Sequence, residues 1–253
     1  MDYESLISRN KGYISDELQK KIKRCRVFLL GCGLGSQIAL LATRTGFENF
    51  ILIDGDTVDV NNLNRQSFRR RHLDKNKAEA LASMIKDINP QAKIDCYPKF
   101  LKDEKLAKEL IDNSDVVVNM ADPETMMYFV NDYSRESGKP VFFPLNIAWG
   151  GCVLIFTPDS PGLKEILGKR LFEGNRFYVE LIKKTFLTFP PTLLEFYKKK
   201  GKELLSLSYI PQLGTSSYLT SAIVIQGIIK WIAGETIKKA PRPIFLDLWE
   251  ETS

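Results

Sequence analysis

Arg65, Lys77 and Asp122 pose the chemical question in this sequence. The two cations lie twelve residues apart, and the carboxylate sits in Asn119-Met-Ala-Asp-Pro123, just past a short apolar run. Two cations at the carboxyl ends of neighbouring strands can neutralise a polyphosphate, and a lone strand-end carboxylate suits magnesium. Taken singly, each reads as a surface charge; together they point to one anionic ligand. Upstream lies a glycine turn, Gly31-Cys-Gly-Leu-Gly-Ser36, and 21 residues after Gly33 comes Asp54. Glycines in such a turn let backbone N–H groups approach phosphate at a helix N-terminus, and an acid at the end of the next strand can accept both ribose hydroxyl protons. The strict G-x-G-x-x-G pattern fails because its third position is Ser36. Gly31, Gly33, Gly35 and Asp54 therefore indicate adenosine without choosing between NAD and ATP. The block Asp54-Gly-Asp56-Thr-Val-Asp-Val-Asn-Asn62-Leu-Asn-Arg65-Gln66, followed by Lys77, does choose, since hydride transfer needs few phosphate-seeking groups.

At these residues the chain resembles the MoeB/ThiF/HesA superfamily, the adenylation enzymes that include the ubiquitin-activating enzymes. The pattern D-x-D-x-V-x-x-x-N-L-x-R-Q is met by Asp54 to Gln66, the family lysine by Asp74-Lys-Asn-Lys77-Ala, and the strand-end aspartate by Ala121-Asp122-Pro123. The likeness spans residues 5 to 157 and returns at 211 to 248. It implies ribose binding by Asp54, triphosphate contacts from Asn62, Arg65, Gln66 and Lys77, a place for Asp56 among the cofactor-binding residues, and magnesium held by Asp122. It also implies a homodimer in which Arg9, in Ser8-Arg-Asn10, reaches the neighbouring subunit's nucleotide like an arginine finger. The implied reaction is attack by a substrate carboxylate on the α-phosphorus of ATP, with pyrophosphate leaving. A carboxylate is already ionised at neutral pH, so no general base is required. The single histidine, His72, is expected to be a solvated member of the basic run 69–72.

The chain departs from the family pattern in three ways. The glycine turn is one residue shorter than G-x-G-G-x-G, the C-x-x-C pairs of zinc-binding relatives are missing, and residues 158–208 contain no cysteine. Cys152 lies in an alternating strand pattern with Val153 and Ile155 and is expected to be packed. No zinc and no covalent cysteine relay are therefore expected. The expected substrate is the C-terminal carboxylate of a small ubiquitin-like or sulfur-carrier protein, or of a peptide. A tRNA-modifying dehydratase of the same superfamily, an NAD-dependent oxidoreductase and a nucleotide-binding member without turnover are the alternatives.

The elements that must position these groups are legible in the apolar pattern. Residues 26–30 and 50–54 read as buried strands around a helix over 37–45, a βαβ unit. Helices are expected over 16–24, 76–88 and 104–113, and strands over 93–97, 116–119, 141–145 and 152–157. Gly150-Gly151 is expected to form the turn before the last of these. A helix over 215–233 and a strand over 243–248 close the chain. The fold class is α/β, a Rossmann-like doubly wound sheet, mostly parallel at first, with antiparallel strands and a helical insertion later. One domain over 1–253 is expected: a nucleotide-binding part (1–157), a helical crossover insertion (158–208) and a terminal helix and strand (209–253).

Composition agrees with a globular chain. With 253 residues, 44% hydrophobic and 26% charged, there is enough apolar material for one large core or two modest ones, which excludes disorder and coiled coil. The longest apolar stretch, 218–234, contains Gln226 and Lys230 and reads as a buried helix rather than a membrane span. The polar N-terminus carries no signal core, so a cytoplasmic protein is expected. Cys25, Cys32, Cys96 and Cys152 are scattered and read as reduced thiols. The net charge of +5 is clustered, and the insertion holds ten basic against six acidic residues, which favours an anionic or acidic partner.

Overall fold

The computed structural model describes residues 2–187, 194, 198 and 211–249. Within them the β-branched and aromatic runs become seven strands: β1 (Arg26–Leu30), β2 (Asn49–Ile53), β3 (Lys93–Tyr97), β4 (Val116–Asn119), β5 (Val141–Ile147), β6 (Gly150–Phe156) and β7 (Ile244–Leu246). They form one sheet in the order β3-β2-β1-β4-β5-β6-β7. Pairing is parallel through β5 and antiparallel for β6 and β7.

Alternation along the strands divides the core in two. Val27 and Leu29 of β1 face one layer, and Phe28 and Leu30 face the other. The first layer is supplied by α2 (Asp16–Arg24), α3 (Gly35–Thr45), α4 (Lys77–Ile88) and α9 (Gly214–Ile232), through Ile22, Ile38, Leu81 and Ile228. The second is supplied by α5 (Glu104–Asp112), α6 (Thr125–Glu136), α7 (Leu163–Ile166) and α8 (Gly174–Thr185), through Leu110, Val130, Leu163 and Phe177. A single turn, α1 (Tyr3–Leu6), precedes them. No helix among the described residues is long and apolar enough to cross a membrane.

Local chemistry explains where the helices start. Ser15 caps α2 by accepting the Leu18 N–H, Asn76 caps α4 through the Ala78 and Glu79 N–H groups, and Asp103 caps α5. α3 has no side-chain cap, and its opening turn faces the carboxyl edge of the sheet. Its far end is closed by Gly46 at φ 103°.

Strand order reverses between β1 and β4, the place where a doubly wound sheet opens a crevice. There Gly31 adopts φ 100°, and a Cβ on it would lie 3.1 Å from the Met120 carbonyl oxygen. Only a glycine fits such a backbone and such an approach.

Two sequence expectations are corrected. Gly150 and Gly151 begin β6 rather than forming the turn before it, which is made by Ala148, at φ 50°, and Trp149. His72 is not solvated: it is 5% exposed, its Nδ1 accepts the Arg69 N–H at 3.1 Å, and burial among Arg71, Lys75 and Arg69 lowers its pKa. Of the insertion expected over 158–208, α7 and α8 are described and the remainder lies largely outside the described residues. α6 was not legible because buried Asn131 and Ser134 interrupt its apolar face.

β6 can lie against α9 because Gly151 has no side chain. A Cβ there would sit 2.6 Å from the Thr220 nitrogen and 2.9 Å from the Leu219 carbonyl carbon. Gly151→Ala is expected to destabilise the fold by about 1–3 kcal/mol, the ordinary range for overpacking. A lower urea midpoint with unchanged slope is the result to look for.

Candidate functional site

A cavity of about 1230 Å³ runs along the carboxyl ends of β2, β1, β4 and β5. Gly31, Gly33, Asp54, Asp56, Arg65, Gln66, Lys77 and Asp122 all line it. The structure therefore brings the two cations and the strand-end carboxylate to one space. Gly35, Asn62 and Arg9 do not line it. Gly35 opens α3 against Met120, where a Cβ would lie 3.1 Å from Cε. Asn62 is buried and holds the loop: its Oδ1 accepts the Asp59 N–H at 3.0 Å and its Nδ2 donates to Asn61 Oδ1 at 2.7 Å. Arg9 is exposed in a 3-10 turn over Ser8–Asn10.

Asp54 organises the nucleotide end. Its Oδ2 accepts the Cys32 N–H at 2.6 Å and its Oδ1 the Asp56 N–H at 2.8 Å, so one carboxylate ties the glycine turn to the loop after β2. Burial raises the Asp54 pKa, opposed by those two N–H bonds and by the Lys77 charge. In the same turn the Gly33, Leu34 and Gly35 N–H groups have no hydrogen-bond acceptor among the described residues. Free N–H groups at the start of an uncapped helix form a site for an anion. Gly33 lies under Gln66, whose Nε2 would be 3.0 Å from a Cβ there, and the buried Gln66 Oε1 has no partner among the described residues.

The two cations are held differently. Lys77 Nζ pairs with Asp56 Oδ2 at 2.8 Å, with the lysine side chain 10% exposed and the aspartate 54%. Arg65 has no carboxylate partner among the described residues. It donates through Nε to Gln212 Oε1 at 3.0 Å and through Nη1 to the Asn61 carbonyl at 2.8 Å and Asn64 Oδ1 at 3.0 Å. Gln37 Nε2 donates to the Arg65 carbonyl. Partial burial lowers the Arg65 pKa, yet a guanidinium keeps its proton at any physiological pH. Gln37 and Gln212 were not foreseen as Arg65's supports. Gln212 is 147 positions away, and no local pattern signals such a pairing.

An adenine nucleotide fits this donor set: free N–H groups, an unneutralised guanidinium and an ammonium at one end of a large cavity. Among the described residues no three His, Cys, Asp or Glu side chains gather as a metal cluster. Asp122, exposed at the cavity wall, could hold magnesium only in company with oxygens of a bound phosphate.

Comparison with known proteins agrees with this geometry. Residues 7–253 match the ThiF family. The chain is 32% identical over 146 residues to the adenylyltransferase and sulfurtransferase UBA4 of Lodderomyces elongisporus, covering 57% of this chain and 32% of that one. It is 31% identical over 144 residues to the adenylyltransferase and sulfurtransferase MOCS3 of Dictyostelium discoideum, covering 56% and 34%. It thus spans about a third of the length of those relatives. Among solved structures, E. coli MccB with MccA superposes with a TM-score of 0.71 at 18% identity, covering 99% of this chain and 70% of that one. PaaA superposes with 0.69 at 21%, covering 98% and 77%. At these identities the structures establish a shared fold.

The raised Asp54 pKa has a stability consequence with a definite sign. The folded protein holds that proton more tightly than the unfolded chain, so stability falls as pH rises from the ordinary 3.8 through the raised folded value. Asp54→Asn is expected to flatten that segment of the stability profile, read by urea unfolding across a series of acidic buffers.

Proposed function

The chain belongs to the ThiF family, and on that premise we propose that it is an ATP-dependent adenylyltransferase that activates the C-terminal carboxylate of a small carrier protein, ubiquitin-like or sulfur-carrying, or of a peptide. The observation that carries this reading is the meeting of Arg65, Lys77, Asp122 and the free N–H groups of the glycine turn around one cavity. Relatives named as adenylyltransferases and a SUMO-activating enzyme subunit of Dictyostelium discoideum, 32% identical over 113 residues, support it.

A substrate carboxylate oxygen forms a bond to the α-phosphorus of ATP, the bond from that phosphorus to the bridging oxygen breaks, and its electron pair leaves on pyrophosphate. The product is an acyl-adenylate. Negative charge grows on the phosphate oxygens as the bond breaks, and cations already in place stabilise it most. Arg65 is suited to this because neutral oxygens orient it without cancelling its charge. Lys77 is paired with Asp56 until a phosphate competes for it. Asp122 would hold magnesium, which neutralises phosphate charge when bound. Asp54 keeps one lone pair on each oxygen beyond its two N–H bonds, enough to accept from ribose hydroxyls.

A covalent cysteine step is not part of the proposal. Cys152 is fully buried in β6, and its thiol is pushed well above the ordinary value by burial. Cys32 is likewise buried and its thiol raised by burial, with Asp54 adding to the effect.

Two outcomes test the proposal. Substrate-dependent exchange of labelled pyrophosphate into ATP should fall about 10²–10³-fold in Lys77→Ala and in Asp122→Ala, the range for losing one charge-stabilising group; wild-type exchange in either variant refutes the mechanism. Arg9 lies outside its own chain's cavity, and the proposal has it act on the nucleotide of a dimer partner. Mixing inactive Arg9→Ala with inactive Asp122→Ala protein should then restore part of the activity, because a hybrid dimer retains one intact site.

A further inference from the structure

The cavity has two chemically different ends. Among the described residues, every lysine and arginine that lines it, Arg65, Lys77, Lys99 and Lys102, belongs to the loops after β2 and β3 or to the start of α4. The other end is walled by Phe143, Leu145 and Ile147 of β5 and by Tyr178, Val179 and Ile182 of α8, with Trp149 at its rim, while Leu213 lies towards Arg65, to which the adjacent Gln212 is bonded. Residues 143–149, 175–182 and 211–213 of the lining include no Lys, Arg, His, Asp or Glu. The α8 residues recur at helical spacing, so one face of that helix is turned to the cavity.

One polar group interrupts this wall. Asn146 Nδ2 donates to Ser217 Oγ at 2.8 Å, and that hydroxyl donates in turn to the Leu213 carbonyl at 3.1 Å. In this arrangement the Ser217 hydroxyl accepts from Nδ2 and donates to Leu213, so the carboxamide turns its oxygen the other way. Asn146 Oδ1 is left buried and without a partner among the described residues. A buried acceptor with no donor is costly, and such a group at a cavity wall calls for a donor from a ligand.

We infer that this end receives the last residue of the activated chain, that the residue is a bulky apolar one such as leucine or phenylalanine, and that Asn146 accepts its backbone N–H. The inference rests on the adenylation reading and narrows it to the peptide among the substrates proposed above, since a carrier activated at a terminal glycine falls outside it. A polypeptide C-terminus offers an N–H beside its carboxylate, which a simple organic acid does not. An acidic last side chain would lose its hydration against walls that offer no cation, and a basic one would find near Tyr178 only Asp122, which the adenylation reading commits to magnesium. A terminal glycine would leave the apolar walls unfilled and forgo their contribution to binding. Asn146 is accordingly a specificity-determining residue.

The test uses pyrophosphate exchange with short synthetic peptides that differ only in their last residue: leucine, phenylalanine, glycine, glutamate or lysine. ATP binding is measured alongside by calorimetry without peptide. The leucine and phenylalanine peptides should exceed the other three in kcat/KM by about tenfold to a hundredfold, the span expected for burying one apolar side chain. Val179→Lys, at a half-buried position on α8, should raise the glutamate peptide relative to the leucine one. An ester-linked analogue of the leucine peptide, lacking the terminal N–H, should be penalised on the wild type and spared in Asn146→Ala. The inference is overturned if ATP binds but glycine, glutamate or lysine leads, if all peptides are equal, or if none drives exchange. Failure to bind ATP at all removes the adenylation reading, and the inference with it.

Discussion

One carboxylate carries the geometry of the nucleotide end. Asp54 stands at the tip of β2 and takes an N–H from each side, from Cys32 in the glycine turn and from Asp56 in the next loop. Beside the committed Cys32, the three following N–H groups have no acceptor among the described residues and stand at the mouth of α3. With Asp56 anchored through its backbone, its side chain is set to hold Lys77. Burial makes this arrangement costly in charge, as the raised Asp54 pKa records, and the neighbouring N–H bonds and the Lys77 ammonium offset that cost.

Around this anchor the protein sets its two cations under different constraints. Lys77 is mostly buried and paired, so its position is defined before any ligand arrives. Arg65 keeps its charge uncompensated while carbonyl and amide oxygens fix its direction. Its backbone is braced as well: Gln37 donates to the Arg65 carbonyl, and Gly214 at the head of α9 lies close enough that a Cβ would come within 2.6 Å of the Asn64 oxygen. Helices from both ends of the chain thus converge on one arginine. Preorganised charge of this sort loses little to reorganisation when the phosphate charge changes.

Much of this was legible in the sequence, and the exceptions have physical causes. β3 and β4 stand where apolar alternation and continuous apolar runs placed them, because tertiary packing and local pattern agree there. Arg65, Lys77 and Asp122 could be singled out because each follows a clear element. Asn62 belongs to the same motif block, but the structure uses its amide to hold a turn, a role that residue type alone does not separate from ligand binding. His72 was misjudged because flanking arginines suggest solvent, whereas the turn folds its ring inward. The Gly150-Gly151 pair reads as a turn but serves close packing: the cramped neighbour is a helix backbone some seventy positions later. Gln212 and Asn146 act through partners distant in the chain, and no window of sequence contains both halves of either contact.

The rim of the apolar end has an optical consequence. Trp149, beside that end of the cavity, stacks at a tilt of 35° on Trp249 with ring centroids 5.1 Å apart, and both indoles are substantially exposed. The chain has three tryptophans, so this pair makes up most of its indole chromophore. A guest settling in the apolar end changes the polarity around Trp149 and the coupling between the two rings. The protein therefore carries its own label-free emission and exciton-coupled dichroism signal for occupancy of that end, independent of any chemistry at the phosphates.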